Sequence, residues 1–133
     1  MSAGVLADSG PLYAAADPGD QHHARARREI DTIRKRDVTV LVPFPILCEA
    51  HSLVSRRLGT EVATTFLADV LTRALVAHPT GDDCVEAFRR AGAYADQKIT
   101  LFDAVTAAMS DRLSRPVWTY DHHFDVMGAA VWR

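Results

Sequence analysis

Two kinds of apolar pattern alternate along this chain. Val5-Leu6-Ala7, Val38 to Val42 and Val117 to Tyr120 are short, rich in β-branched and aromatic residues, and end at turn-forming residues. They predict buried strands. Between them, apolar residues return every three or four positions, which predicts helices. These run over 11–16, 21–35, 46–58, 61–75, from Asp82-Asp83 to about Ala95, and over 102–113. Ala24, Ile30 and Ile33 make a narrow stripe on the second helix. Val62, Phe66, Leu67, Val70, Leu71 and Leu75 form the inward face of the fourth, and Val85, Phe88, Ala91 and Tyr94 that of the fifth. Weaker signals suggest a strand over Val76–Pro79 and an edge strand over Ala129–Trp132, with His122 to Asp125 as a loop between elements. Alternating strands and helices predict a parallel sheet covered by helices on both faces. The 133 residues read as a single domain, 1–133, with no repeat, linker or low-complexity segment.

Composition changes this picture little. A hydrophobic share of 48% with 24% charged residues is ordinary for a globular domain. The net charge of −2 argues against a domain that holds nucleic acid by overall basicity, though a local arginine cluster or a bound cation can serve instead. Two cysteines, Cys48 and Cys84, are too few for a disulfide scaffold and read as buried thiols. No apolar run is long enough to span a bilayer, and the N-terminus lacks the basic start and long apolar body of a signal peptide. The expectation is a cytoplasmic protein with no membrane association.

The acids carry the chemistry. Asp8 follows the first strand, Asp121 follows the strand at 117–120, and Asp103 sits in the first turn of the most apolar helix. Glu49 lies in the helix after the second strand, where the pattern fits a rim position and an inward one equally well. Asp103 taken alone fits a residue that merely complements its helix dipole. In a parallel sheet, strand ends of one sense share an edge, and ligands collect there. Four carboxylates gathered at that edge would repel one another unless a cation intervened. Mg²⁺ or Mn²⁺ suits an all-oxygen set, and such an ion polarises a phosphoryl oxygen and acidifies a bound water. His22 and His23 are adjacent on a predicted helix and so cannot easily share one ion.

Four segments in order resemble the PIN-domain ribonucleases, and among them the VapC-type toxins of toxin–antitoxin pairs. These are Val5 to Leu12, the proline-rich helix entry leading to Cys48-Glu49-Ala50, Asp96 to Ala104, and Thr119 to Phe124. The resemblance implies a three-layer α/β/α sandwich with a mainly parallel central sheet. It implies Mg²⁺-dependent (or Mn²⁺-dependent) hydrolysis of RNA, commonly a tRNA or rRNA loop, with Asp8, Glu49, Asp103 and Asp121 as the catalytic acids. Asp8 and Asp103 would be the main metal ligands and Asp121 would bind directly or through water. Asp96 is a secondary acid, and Ser9 and Thr119 match hydroxyls that orient neighbouring acids. Asp125 matches no such position and reads as a surface acid. The family's members are silenced by an antitoxin protein and are often homodimers. Arg56 and Arg57, together with Arg89 and Arg90, are candidates to meet RNA phosphates. Two rival readings are a catalytically silent PIN-like module that binds RNA or a partner protein, and a metal-dependent phosphatase or DNA nuclease.

Overall fold

The computed structural model describes residues 3–133; Met1 and Ser2, which open the segment read above for a signal peptide, lie outside the described residues. The chain runs β1 (Gly4–Ala7), α1 (Ser9–Ala16), α2 (His23–Lys35), β2 (Thr39–Pro43), α3 (Phe44–Leu58) and α4 (Thr60–Arg73). It continues with β3 (Leu75–Ala77), α5 (Gly81–Ala93), α6 (Leu101–Leu113), β4 (Val117–Trp118) and α7 (His123–Val126). The strands form one sheet in the order β3-β2-β1-β4, and every pairing is parallel. Val5 opposite Val40 and Leu6 opposite Val117 fix the register of the central strand on its two sides. From β1 the chain crosses first to β2 on one flank, and β4 is later added on the other. The gap beyond the carboxyl ends of β1 and β4 is therefore the place where the strand order reverses, the favoured crevice for a ligand in such sheets.

Alternation along the strands divides the core. Val5, Ala7 and Val42 pack with Ile33, Ile46, Leu47 and Trp118 on one face. On the other face Val117 packs with Ala107 and Phe124, and Ala104 and Val105 pack against Ala87 of α5. The small side chains of α6 let it lie close to the sheet, and it is buried all the way from Asp103 to Ser110. A helix ends at Gly59, whose φ of 94° is one that side chains seldom tolerate. Among the described residues no helix is long and apolar enough to cross a membrane.

Several sequence expectations change here. The predicted loop at 122–125 is mostly the short helix α7, which runs on to Val126, and the predicted edge strand at 129–132 is a single parallel bridge from Val131 to Val117. Leu75 leaves α4 to start β3. Cys48 is exposed and Cys84 half-buried, because Ile46, Leu47, Ala50 and Val54 define the inward face of α3 and Cys48 falls opposite. In α2 the stripe uses Ala26 rather than Ala24, which is exposed. Val62 and Leu71 stand outside the buried face of α4, which is Ala63 and Phe66.

The largest reversal is in α5, whose Val85 and Phe88 are 66% and 63% exposed. The buried positions are Asp83, Ala87 and Arg90, held to α6 by ion pairs. Asp83 Oδ2 lies 2.9 Å from the Arg112 guanidinium, and Arg90 pairs with both Asp111 and Glu86. Hydrophobicity alone misassigns this face because its charges are neutralised across the helix pair. Burial would raise the pKa of Asp83, but Arg112 and its hydrogen bonds with Thr80 outweigh that and hold it below the usual carboxylate range. Its contribution is thus present at neutral pH and lost as pH falls through that lowered value. Asp83→Ala removes both this pair and the capping box with Thr80. Denaturant melts at pH 7 should show a loss of roughly 2 kcal/mol, the sum of a helix cap and one charge-assisted bond that is partly open to solvent.

Candidate active site

The path from β1 into α1 makes a single sharp step, and Asp8 occupies it as the residue capping α1. Its side chain is 4% exposed. One carboxylate oxygen, Oδ2, accepts a 2.8 Å hydrogen bond from the Thr119 hydroxyl at the end of β4. The other, Oδ1, is buried and has no hydrogen-bond partner among the described residues. Thr119 also accepts a 3.0 Å bond from the backbone N–H of Asp121, so one hydroxyl ties together the two acids that follow β1 and β4.

Asp103 reaches the same place from α6. The Thr100 hydroxyl accepts from its backbone N–H at 3.1 Å, and Asp103 Oδ2 accepts from the Thr100 N–H at 3.2 Å. This reciprocal pair is a capping box. Asp103 therefore starts its helix and faces the cleft at once; the two readings of this residue are compatible. Glu49 is half-buried on α3, with the Ser9 hydroxyl close enough to favour its ionised form. Ser9 is the first residue of α1 rather than its cap, and it lines the same cleft as Glu49.

All four acids line one cleft of about 550 Å³, together with Ser9, Tyr13, Arg57, Lys98, Tyr120 and His123. Their electrostatics agree with that placement. Burial pushes the Asp8 carboxyl up to about 7, against the bond from Thr119 and the nearby Ser9 backbone, and the neighbouring charges of Asp103 and Glu49 push it further up. Burial also raises Asp103, with a further rise from Asp121, and raises Glu49, with a further rise from Asp103. A set of carboxyls each made harder to ionise by the next is short of positive charge.

Other candidates fall elsewhere. Asp96 is exposed in the turn after α5 and does not line the cleft, because the chain between Tyr94 and Thr100 is not helical and no continuous helix carries it toward Asp103. Of the four arginines, Arg57 lines the cleft, its guanidinium 5.2 Å from the centre of the Tyr13 ring. Arg56 is exposed away from the cleft lining, and Arg89 is bound through Nε and Nη2 to Glu86. Arg90 is buried and paired, so the exposed face assumed for it does not exist. Asp125 is a surface acid 3.4 Å from Arg133. His23 is engaged with the Ala14 carbonyl at 2.7 Å, while His22 lines the cleft next to Tyr120.

Sequence reasoning missed Thr100, Lys98, Tyr120 and His123 as cleft residues. The Thr-x-x-Asp spacing of a capping box was a readable sign for Thr100. Nothing local marked Lys98. Tyr120 is oriented by its hydroxyl bond to Glu29, which also accepts from the Trp118 indole at 3.1 Å.

Comparison with known proteins places this geometry. No family model matches the chain. Ribonuclease VapC26 of Mycobacterium tuberculosis is 27% identical over 126 residues, spanning 92% of this chain and 91% of the relative. The crystal structure of VapC20 of Mycobacterium tuberculosis, described as a sarcin-ricin loop cleaving toxin, superposes with a TM-score of 0.86 at 23% identity. It covers 97% of this chain and 98% of the other. The protein has the PIN-domain fold of the VapC toxins. VapBC2 from Rickettsia felis, solved bound to a DNA fragment from its promoter, shares the fold at a TM-score of 0.76 and 13% identity, over 98% of this chain and 97% of that one. The PIN fold thus extends over nearly the whole chain, and the acid cleft sits at the strand-order reversal within it.

Proposed function

We propose that this protein is the ribonuclease toxin of a toxin–antitoxin pair, a Mg²⁺- or Mn²⁺-dependent endoribonuclease that hydrolyses RNA phosphodiester bonds at the Asp8–Glu49–Asp103–Asp121 cleft. The observation that carries the reading is the Asp8 carboxylate: buried, with Oδ1 unpartnered and two acids beside it. An isolated group of this kind is costly to fold and is tolerated where a cation completes it. The likeness to VapC26, a ribonuclease by name, supports the RNA substrate.

The residues present fit a hard divalent ion. The cluster is all oxygen, which suits Mg²⁺ or Mn²⁺ rather than a softer metal. Asp8 and Asp103 would be its main ligands, and Asp121 would bind directly or through water. When bound, such an ion stabilises charge on the phosphoryl oxygens and lowers the pKa of a coordinated water. The chain supplies the rest. Thr119 ties the Asp8 carboxyl to the Asp121 backbone, and Thr100 fixes Asp103. Glu49 is placed to accept a proton from an attacking water; its raised pKa makes it a better base than a free glutamate. Arg57 and Lys98, the cations of the cleft lining, would take the phosphates flanking the scissile bond.

The partner reading has its own support. The structural neighbours include VapBC complexes from Rickettsia felis and from nontypeable Haemophilus influenzae. A second cavity of about 610 Å³, away from all four acids, has an apolar floor of Leu12, Ile30, Ile33, Phe66 and Val70 joined by Arg27, Arg34, Arg73, Asp37 and Asp69, and would take an amphipathic segment of an antitoxin. A homodimer is part of the same proposal.

Incubating the protein with structured RNA, single-stranded DNA and a phosphomonoester, with Mg²⁺, Mn²⁺ or EDTA, tests the reading. Metal-dependent cleavage of RNA alone is expected. Arg57→Ala should raise KM severalfold while leaving the metal requirement intact. Metal-independent binding of RNA without cleavage would instead favour a silent module.

A further inference from the structure

The acid cleft has a second cluster on its rim, made of different donors. Asp121, His122 and His123 are consecutive, and each offers a ligand atom within 4.8 Å of the others. Asp121 Oδ1 lies 3.1 Å from His123 Nδ1 and 3.8 Å from His122 Nδ1, and the two imidazole rings stand 4.3 Å apart. Neighbouring residues in a regular helix diverge. Here the pair straddles the start of α7, the Asp121 carboxylate accepts from the His123 backbone N–H at 2.9 Å, and both rings stay close to that carboxylate. His123 Nδ1 is buried and makes no hydrogen bond among the described residues, although the carboxylate oxygen is close. A buried ring nitrogen aimed at a carboxylate without bonding to it is a donor atom awaiting an acceptor.

We propose that Asp121, His122 and His123 bind a borderline transition-metal ion such as Zn²⁺ on the rim of the cleft. Two imidazoles and one carboxylate are the donor set that zinc takes and that Mg²⁺ avoids. Three protein ligands leave a fourth position open to water or a phosphate oxygen. His122 is 76% exposed, so closing the site needs only a rotation of a side chain already in solvent. Asp121 is the one residue that this set shares with the four-acid cluster. An ion held here engages its carboxylate and withdraws it from that cluster. Resting on the proposed ribonuclease reading, micromolar Zn²⁺ then inhibits RNA cleavage that Mg²⁺ supports.

Calorimetric titration of the whole protein with Zn²⁺ at pH 7.5, backed by the visible absorption of Co²⁺, reads the site without any reaction. One ion per chain is expected. His122→Asn and His123→Gln should each weaken it at least about tenfold, the low end of what losing even an outer partner of a metal ligand costs. Asp8→Asn should leave it unchanged. His122→Asn alters a solvent-exposed side chain, so its effect is not confounded by unfolding. Binding that survives both histidine substitutions, or that Asp8→Asn abolishes, would overturn the proposal. In a parallel assay His122→Asn should retain Mg²⁺-dependent cleavage and lose its sensitivity to Zn²⁺. Histidine-dependent Zn²⁺ binding without any cleavage would leave the metal site standing and remove the ribonuclease reading. Cleavage without histidine-dependent binding would do the reverse.

Discussion

Replacing Asp8 with asparagine should abolish RNA cleavage and, in the absence of divalent metal, make the protein more stable at pH 8. The two effects have opposite signs, and that opposition is the test. Asparagine keeps the size of the side chain and an oxygen to accept the Thr119 hydroxyl, so the junction of β1 and α1 is preserved. It removes a charge that burial and the neighbouring Asp103 and Glu49 disfavour. In the metal-free protein the neutral side chain therefore relieves repulsion, and thermal melts should move up by several degrees. Cleavage, in contrast, should fall by about a thousandfold or more, the several kcal/mol of transition-state stabilisation that a bound metal supplies. A residue whose removal stabilises the fold while eliminating activity is kept for chemistry. If Asp8→Asn destabilised the metal-free protein, Asp8 would be a structural cap, and the proposed role would fail even if cleavage were lost with the fold. Asp103→Asn is a weaker probe for that reason. Its Oδ2 closes the α6 capping box, so part of any loss would come from the helix start.

The strands and most helices were legible because their apolar periods are clean. β1, β2 and the long buried α6 follow from the runs at 5–7, 38–42 and 102–113. What misled was any face whose burial depends on pairing rather than on hydrophobicity. In α5 the inward residues are an aspartate and an arginine, and their partners Arg112 and Asp111 lie on another helix. No local pattern announces such a pair. The acids show the converse. Asp8 and Asp121 could be placed together because strand ends in a parallel sheet share an edge, and Asp103 because it opens the next apolar helix. Glu49 could not be decided by helical period, since it is half-buried at the margin of the inward face of α3. Asp96 was carried by the family resemblance alone, and the turn after α5 leaves it exposed outside the cleft lining. The rim histidines were invisible because a four-residue helix after Asp121 bends the chain where a loop was expected.

Divalent metal should stabilise this protein strongly at pH 8 and little at pH 5. The sign follows from the direction of the shifts. Asp8 is raised from 3.8 in its free form to about 7 in the fold, and Glu49 and Asp103 are raised as well. A carboxyl whose folded pKa is raised binds its proton more tightly folded than unfolded. Its contribution to stability is complete below pH 4 and is lost as pH rises through the folded value. For Asp8 the loss amounts to at most about 4 kcal/mol between pH 4 and 8. The metal-free protein should therefore melt at progressively lower temperature across that range. A divalent ion substitutes for the missing protons and reverses the loss, but at pH 5 it must compete with protons already bound. Adding 10 mM Mg²⁺ to chelator-treated protein should raise the melting temperature by several degrees at pH 8 and by about a degree or less at pH 5. In Asp8→Asn protein the pH 8 shift should largely disappear. An equal Mg²⁺ shift at both pH values would mean that the ion binds surface carboxylates with ordinary pKa, and the four acids at the strand ends would need another explanation for their proximity.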